Sequence, residues 1–462
     1  MKIVVIGGGI GGYTAAIKAA QYKAEVVLIE KGKLGGTCLN RGCIPTKAFL
    51  HDAHIIDAVR TSKAQGIFDS VPNHNVQAII DRKDTIVTRL RDGIASLCKA
   101  NKIEMIEDEA SFIDQNTLFL KNKKENISAD FFIVATGSMP SRLPIDGAQS
   151  EEIWTSDDCF DTPLLPGMHV CLIGGGVIGV ELATFYKSIG CNVTIVEAQK
   201  RILPSIDRDA ANQLATILKK QSVTILTNAF VKEIKSVSPY QVICTVNDIE
   251  HKIVADRIIQ SVGRKAVFSD LKLENARIES NKVIQVNDAY QTNVSHIYAI
   301  GDVNGQSWLA HAAAAQGKVA VDHIFNPEKP THQLLIPSVV YSDPQIASIG
   351  LDEAIAKEQN IEINVGKFLV SANGKHVVEG KERGFIKVIT DKENKILGST
   401  IFSHLASEMI PYMTQAILTH QTIESLEGVV FPHPTLTESL EDAMADVLGM
   451  SIHSFPKVRN NI

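Results

Sequence analysis

Two glycine-patterned βαβ segments, followed by a stretch of alternating strand and helix patterns, predict an α/β fold of three parts for this chain. Residues 3–12 read IVVIGGGIGG and residues 170–179 read VCLIGGGVIG. Each is a short apolar run that meets G-x-G-x-x-G, takes up helical spacing, then reaches a second apolar strand ending in an acid. The first acid is Glu30, after Val26-Val27-Leu28-Ile29; the second is Glu197, after Val193-Thr194-Ile195-Val196. Each unit is therefore a Rossmann-like dinucleotide-binding domain, and two of them imply two nucleotides. The third part is α+β.

Punctuation residues set the boundaries. A strand over Phe131–Ala135 and the turn Thr136-Gly137-Ser138 precede Pro140 and Pro144, where the first unit breaks. The second unit runs to about Gly263-Arg264. A return segment carries a strand over His296–Ile300, ending in Gly301-Asp302, and Pro327 and Pro330 mark a linker. From about Ile336 onward, strand patterns (Phe385–Thr390, Ile396–Phe402) alternate with helical ones (Ser407–His420, Thr437–Leu448). The expected division is 1–143 with 265–335, 144–264, and 336–462. A chain of 462 residues exceeds what one core usually sustains.

Composition narrows the function. Hydrophobic residues make up 45% and charged residues 21%, and 46 basic against 52 acidic residues give a net charge of -6. No basic run supplies the electrostatic footprint of nucleic-acid binding. No stretch reaches the roughly 20 apolar residues of a membrane span. Lys2-Ile3-Val4-Val5-Ile6 has the look of a signal segment, but glycines follow at once and no small-residue cleavage site appears, so a buried strand and a cytoplasmic location are expected. The seven cysteines are odd in number and widely spread, unlike a disulfide framework. Cys98, Cys159, Cys171, Cys191 and Cys244 sit singly among apolar neighbours and read as small buried hydrophobes. Cys38 and Cys43 stand apart.

In the first fingerprint Gly7 permits the tight turn, Gly9 lets backbone approach a pyrophosphate, and Gly12 lets helix and strand pack closely. The pyrophosphate then meets a helix N-terminus, whose free N–H groups and dipole favour an anion. Glu30 is placed to accept hydrogen bonds from a ribose. Gly174, Gly176, Gly179 and Glu197 repeat the pattern, and a carboxylate at the second acid favours NAD over NADP by repelling a 2′-phosphate. Lys200 and Arg201 follow closely, and Arg201 is expected to face a phosphate or an acidic neighbour.

Cys38 and Cys43 lie in GGTCLNRGCIPTK at 35–47. A disulfide needs Cα atoms about 4.4–6.8 Å apart, whereas residues five apart in a regular helix are about 8.7 Å apart. Bridging them requires a distorted first turn, which Gly42 and Pro45 would help to form. The same pair also reads as two thiols or half a metal site, although no second Cys or His pair lies at zinc spacing and no metal is expected. Lys47 on the same helix offers a cation. Near the end, His433 stands between Pro432 and Pro434 with Glu438 following, a base whose ring a carboxylate would orient.

Taken together the motifs resemble the class I pyridine nucleotide–disulfide oxidoreductases, and within them the dihydrolipoamide dehydrogenases, over the whole chain. Those that carry the resemblance are GGTCLNRGCIPTK at 35–47, VATGS at 134–138, GGGVIGVE at 174–181, YAIGDV at 298–303, LAHAA at 309–313 and HPTLTE at 433–438. The resemblance implies FAD and NAD as cofactors and a Cys38–Cys43 disulfide, with Cys38 the interchange thiol and Cys43 the thiol against the flavin. It implies a Lys47–Glu181 ion pair at the flavin, FAD contacts at Glu30, Gly137, Asp302 and Ala310, and NAD contacts at Glu197, Val231 and Gly263. It makes His433, oriented by Glu438, the base, supplied across the interface of an obligate homodimer whose third part is the dimerisation domain.

The implied reaction oxidises protein-bound dihydrolipoyl groups with NAD+. The partners are lipoylated domains of an acyltransferase (E2) or H-protein, expected on separate chains because this one opens on the first nucleotide strand. Mercuric reductase and high-molecular-weight thioredoxin reductase would carry a C-terminal cysteine pair, which the tail from Phe455 to Ile462 lacks. Glutathione reductases usually have valine where Leu39 stands and prefer NADP; a soluble transhydrogenase would lack one active cysteine. A non-catalytic scaffold would not need both cysteines with His433 and Glu438. Three places depart from the usual pattern: Lys265-Ala266-Val267 for Arg-Pro-Asn, Ser403 for glycine, and Asp108 for glycine.

Overall fold

The computed structural model describes residues 1–331 and 333–455; the tail 456–462, most of the segment read above as lacking a cysteine pair, lies outside the described residues. The chain forms two compact units. One comprises Met1–Gly174, Lys232–Val242 and Ile253–Leu334; the other comprises Gly175–Val231, Ile243–Lys252 and the chain from Leu335 onward.

The first unit is built on a parallel sheet in the order Ile297–Ala299, Phe131–Val134, Lys2–Ile6, Glu25–Glu30, Glu104–Glu107. Apart from the edge strand Glu104–Glu107, its strands are mostly apolar and buried because both faces are covered. Val4, Ile6, Val27, Ile29, Phe132 and Val134 enter one core, while Ile3, Val5, Val26, Leu28 and Ile133 enter the other with Ala15, Ala16 and Ala19 of the helix Ile10–Gln21. The helix Ala310–Phe325 adds Ala320, Val321 and Ile324 to that second core. The strands expected at Phe131–Ala135 and His296–Ile300 are present, trimmed to Phe131–Val134 and Ile297–Ala299. Within the same unit His169–Ile173 pairs in parallel with Arg257–Gln260, which pairs with Trp154–Thr155.

In the second unit the helix Val177–Ser188 is buried along most of its length, and Asn192–Val196 pairs in parallel with Thr224–Leu226. From Ser338 the chain makes a five-stranded antiparallel sheet in the order Ser338–Val340, Gln345–Gly350, Ile396–Ser403, Phe385–Thr390, Asn364–Leu369. The helices Ala406–Leu418 and Glu438–Val447 bury Met409, Ile410, Met413, Leu440, Ala443 and Met444 against it. The expected C-terminal α+β pattern is thus present, with strands and helices within two residues or so of their predicted ends. The strand Phe385–Thr390 is buried at every position, Lys387 included. The Lys387 ammonium meets Asp207 at 2.8 Å and also Glu353.

All five singly placed cysteines are buried, as their apolar surroundings predicted. No helix among the described residues is long and apolar enough to cross a membrane, and no cluster of metal-ligating side chains occurs among them.

Candidate active site

The two glycine loops have nearly the same geometry, although only their sequence pattern is shared. Gly7 and Gly174 both take φ +106°, a left-handed conformation that costs glycine little and other residues more. A Cβ on Gly7 would sit 2.3 Å from the Ala135 carbonyl oxygen, and one on Gly174 would sit 2.4 Å from that of Ser261. A Cβ on Gly12 would sit 1.9 Å from the Gly7 oxygen, so helix and loop close only without a side chain there. Gly9 and Gly176 occupy the N-cap positions of Ile10–Gln21 and Val177–Ser188; neither helix has a side-chain cap or an acid in its first turn. Gly179 is buried in the second of these helices.

Glu30 and Glu197 also match. Glu30 accepts from the Gly8 N–H at 2.6 Å and the Gly32 N–H at 2.7 Å. Glu197 accepts from the Gly175 N–H at 2.6 Å and the Gln199 N–H at 2.7 Å. Each carboxylate therefore braces its own glycine loop, a task that the sequence pattern did not reveal. Each oxygen keeps a second lone pair for a further donor. Arg201 corrects the expectation: its guanidinium donates to the carbonyls of Leu203 (2.6 Å), Pro204 (2.7 Å) and Ile206 (3.0 Å), not to an acid. Three carbonyls turned inward by a tight loop offer a forked donor several acceptors at once.

The redox segment is stitched to the first glycine loop. The Gly35 N–H donates to the Gly8 oxygen at 2.8 Å, and a Cβ on Gly36 would lie 2.7 Å from the Gly9 Cα. Asn40 Nδ2 ties back to the Gly36 oxygen at 2.9 Å. The helix Gly36–Arg41 then stops, Gly42 takes φ −146° and ψ −108°, and a new helix runs from Cys43 to Ala64. This is the distortion that the spacing of the cysteines required. Cys38 and Cys43 are brought together as two half-buried thiols, not as the expected disulfide. The hydrogen bond with Cys43 and burial push the Cys38 thiol up, while Lys47 and the Cys43 backbone N–H pull it back. Two sulfurs sharing one site ionise one at a time.

Around the same sheet, Asp302 accepts from the Ser138 hydroxyl, which in turn accepts from Arg264 Nε at 2.8 Å. Burial pushes the Asp302 carboxyl up, and Ser138 and Arg264 pull it back. Ser138 and Arg264 were missed as site residues; their only signal was their place beside Gly137 and Gly263. Ala310 opens its helix, which also lacks a side-chain cap and a first-turn acid. Gly137 (φ +71°) and Gly263 (φ +106°) have open space where a side chain would stand. Val231 lies in the strand Ala229–Lys235.

The departures from the usual pattern have structural consequences. The segment Arg264–Ala266 pairs antiparallel with Ser138–Pro140, and the Val267 N–H donates to the Gly137 oxygen at 3.0 Å. Asp108 is buried and accepts from the N–H groups of Glu109, Asn122 and Lys123 at 2.7, 2.8 and 3.0 Å. Burial opposes its charge, but those three donors outweigh it and hold its carboxyl below the usual range.

In the second unit, Glu181 is buried and accepts from the Tyr341 N–H at 2.9 Å. His433 Nδ1 lies 2.8 Å from Glu438 Oε1, and Glu438 Oε2 accepts from the Thr435 N–H at 2.6 Å. Desolvation opposes the Glu438 charge, yet the Thr435 N–H and the His433 ring hold its carboxyl below the usual range. With Nδ1 committed to the carboxylate, Nε2 is the nitrogen left to take a proton, and the ring is 80% exposed in the single chain.

Two uncapped glycine-loop helices and a close cysteine pair are the parts of a two-nucleotide dithiol oxidoreductase. Residues 1–317 match the pyridine nucleotide-disulphide oxidoreductase family and residues 336–444 match the dimerisation domain of that family. The chain belongs to the pyridine nucleotide-disulphide oxidoreductase family, uses FAD and NAD, and carries the module through which its members form homodimers. It is 34% identical to a dihydrolipoyl dehydrogenase of Bacillus subtilis (strain 168) over 462 residues, covering 98% of this chain and 100% of the relative. A second dihydrolipoyl dehydrogenase of that strain is 36% identical over 458 residues, covering 97% of each. Among solved structures, the HOCl-induced flavoprotein disulfide reductase RclA from Escherichia coli superposes with a TM-score of 0.86 at 29% identity, covering 96% of this chain and 99% of that one.

Proposed function

We propose that the chain is a dihydrolipoyl dehydrogenase, oxidising protein-bound dihydrolipoyl groups with NAD+ to give lipoyl groups, NADH and a proton. The observation that carries the reading is the Cys38–Cys43 pair, seated on the first glycine loop with Lys47 acting on it. The names of the relatives supply the substrate.

The residues fit the cofactors through features of their own. Gly7, Gly9, Gly12, Glu30, Gly137, Asp302 and Ala310 would hold FAD; Gly174, Gly176, Gly179, Glu197, Val231 and Gly263 would hold NAD. The bound FAD and NAD supply a path for one electron pair away from the thiols. In the oxidised pair, a substrate thiolate attacks the Cys38 sulfur, breaks the Cys38–Cys43 bond and leaves Cys43 as thiolate. The second substrate thiol then attacks the mixed disulfide, releasing the cyclic lipoyl disulfide and Cys38. His433 of the partner subunit takes the thiol proton at Nε2, and Glu438 keeps its ring in the tautomer that can do so. The exposure of the ring in a single chain supports service to a neighbouring subunit. Lys47 and Glu181 would pair beside the flavin. The domain division 1–143 with 265–335, 144–264 and 336–462 belongs to this reading, as do a cytoplasmic location and lipoylated E2 or H-protein partners.

Steady-state kinetics of the holoenzyme test it, with dihydrolipoamide against reduced glutathione and NAD+ against NADP+. Dihydrolipoamide with NAD+ is expected to exceed every other combination by at least about a hundredfold in kcat/KM. Faster turnover of glutathione, or no turnover of dihydrolipoamide, overturns the reading.

A further inference from the structure

Behind the His433–Glu438 pair runs a line of polar side chains away from solvent. Ser403 and His376 are each 0% exposed and Asn373 is 7% exposed. Ser403 ends the strand Ile396–Ser403, and Asn373 caps the short helix Gly374–Val378. The His376 backbone N–H donates to Asn373 Oδ1 at 3.1 Å. A backbone N–H can only donate, so that atom of the amide is oxygen and the other is nitrogen. Asn373 Nδ2 therefore donates to the Thr435 carbonyl, 3.1 Å away. His376 Nδ1, 2.9 Å from the same Oδ1, must carry its proton, and Nε2 accepts from the Ser403 hydroxyl at 2.8 Å. Every hydrogen-bonding role in the line follows from one backbone donor.

Thr435 is the residue whose own N–H holds Glu438. We propose that Asn373, locked by His376 and Ser403, is a positioning residue for the thiol base: it holds the Thr435 carbonyl and so the backbone of that residue, whose N–H holds the Glu438 carboxylate, which sets the tautomer of His433. The proposal rests on the dihydrolipoyl dehydrogenase reading and adds to it the part of the chain that sets the base. It gives a role to Ser403, where glycine is common: without the hydroxyl, His376 Nε2 has no protein donor at a buried site, and the ring that anchors the amide loses its hold on that side. Burial lowers His376, Glu379 opposes and His404 adds to the lowering, which together leave it at about 4, so the ring stays neutral and the line keeps its sense at working pH.

Asn373→Asp is the direct test, because it retains the acceptor that caps the helix and replaces the donor to Thr435 with a carboxylate oxygen, which cannot hold that carbonyl. The holoenzyme is assayed with dihydrolipoamide and NAD+, and in parallel for NADH-driven ferricyanide reduction, which draws electrons without thiol exchange. The dithiol kcat is expected to fall about tenfold, within the range attributable to a general base. The KM for dihydrolipoamide and the ferricyanide rate are expected to stay at parental values. Ser403→Ala should show the same split at about threefold, and Ser403→Thr, which restores the hydroxyl, should recover it.

An unchanged dithiol kcat in Asn373→Asp overturns the proposal, as does a parallel loss of both activities. A parent that never turns over dihydrolipoamide sinks the functional reading instead. The positioning role is then read without substrate, from the 15N shift of His433 Nδ1 in the full-length protein. Loss of its hydrogen-bonded value in Asn373→Asp supports the role, and an unaltered shift overturns it.

Discussion

Acid titration of His376 gives the sharpest quantitative handle on the C-terminal core. Burial lowers its imidazole from the usual 6.5 to about 4. As pH falls, the unfolded chain takes up a proton on this side chain before the folded one does. The neutral ring thus contributes stability that is complete above about pH 6.5 and drains away down to about pH 4, below which nothing more is lost. Linkage puts the loss at about 1 kcal/mol per chain by about pH 5.5, rising to about 3 kcal/mol by about pH 4. The assay is urea unfolding of the holoprotein at one protein concentration across that window, beside His376→Leu, which cannot titrate. The variant starts less stable, having lost its bonds to Asn373 and Ser403, but its stability should fall with acid by about 3 kcal/mol less over the interval to about pH 4. Equal slopes in parent and variant would show that His376 is protonated as easily folded as unfolded, and would refute the burial argument.

Three further outcomes are expected. Glu438→Gln presents an amide N–H₂ to His433 Nδ1 and turns that nitrogen into an acceptor, so Nε2 carries the proton and cannot take another; dithiol turnover should drop about 10²- to 10⁴-fold with flavin still bound, and near-parental turnover would exclude the tautomer role. Gly12→Ala forces a Cβ to within 1.9 Å of the Gly7 oxygen; the purified protein should be depleted of flavin by its visible absorbance, and full occupancy would mean that the loop is not the cradle. Glu197→Gln keeps an acceptor for the Gly175 N–H but removes the charge, so the NAD-to-NADP ratio of kcat/KM should fall by about tenfold or more, the weight of one like-charge contact.

Much of this site was legible in the sequence because it is local. The glycine loops, with Glu30 and Glu197 some twenty positions on, are short-range patterns whose spacing is dictated by one strand, one turn and one helix. Gly42 between two cysteines announced a helix break for the same reason, since sulfurs five positions apart cannot meet along a regular helix. The strand over 385–390 and the helices over 406–418 and 438–447 followed from period alone.

Partners distant in sequence were not legible. Nothing in Phe385–Thr390 marks Lys387 as a buried cation, because Asp207 and Glu353 come to it only through folding. Arg201 looked bound for an acid and instead gathers carbonyls two to five positions ahead, a choice made by the turn of that loop. Ser403 stands out in the sequence only as an oddity; the reason for it lies in His376, which accepts from its hydroxyl and carries the line on to Asn373. Local sequence therefore determined the loops, the cysteine pair and the His433–Glu438 pair, whose geometry is set within a few residues. Tertiary structure alone decided which buried polar groups satisfy one another, because a hydrogen bond across a core depends on where two separate segments are packed and leaves no period in either.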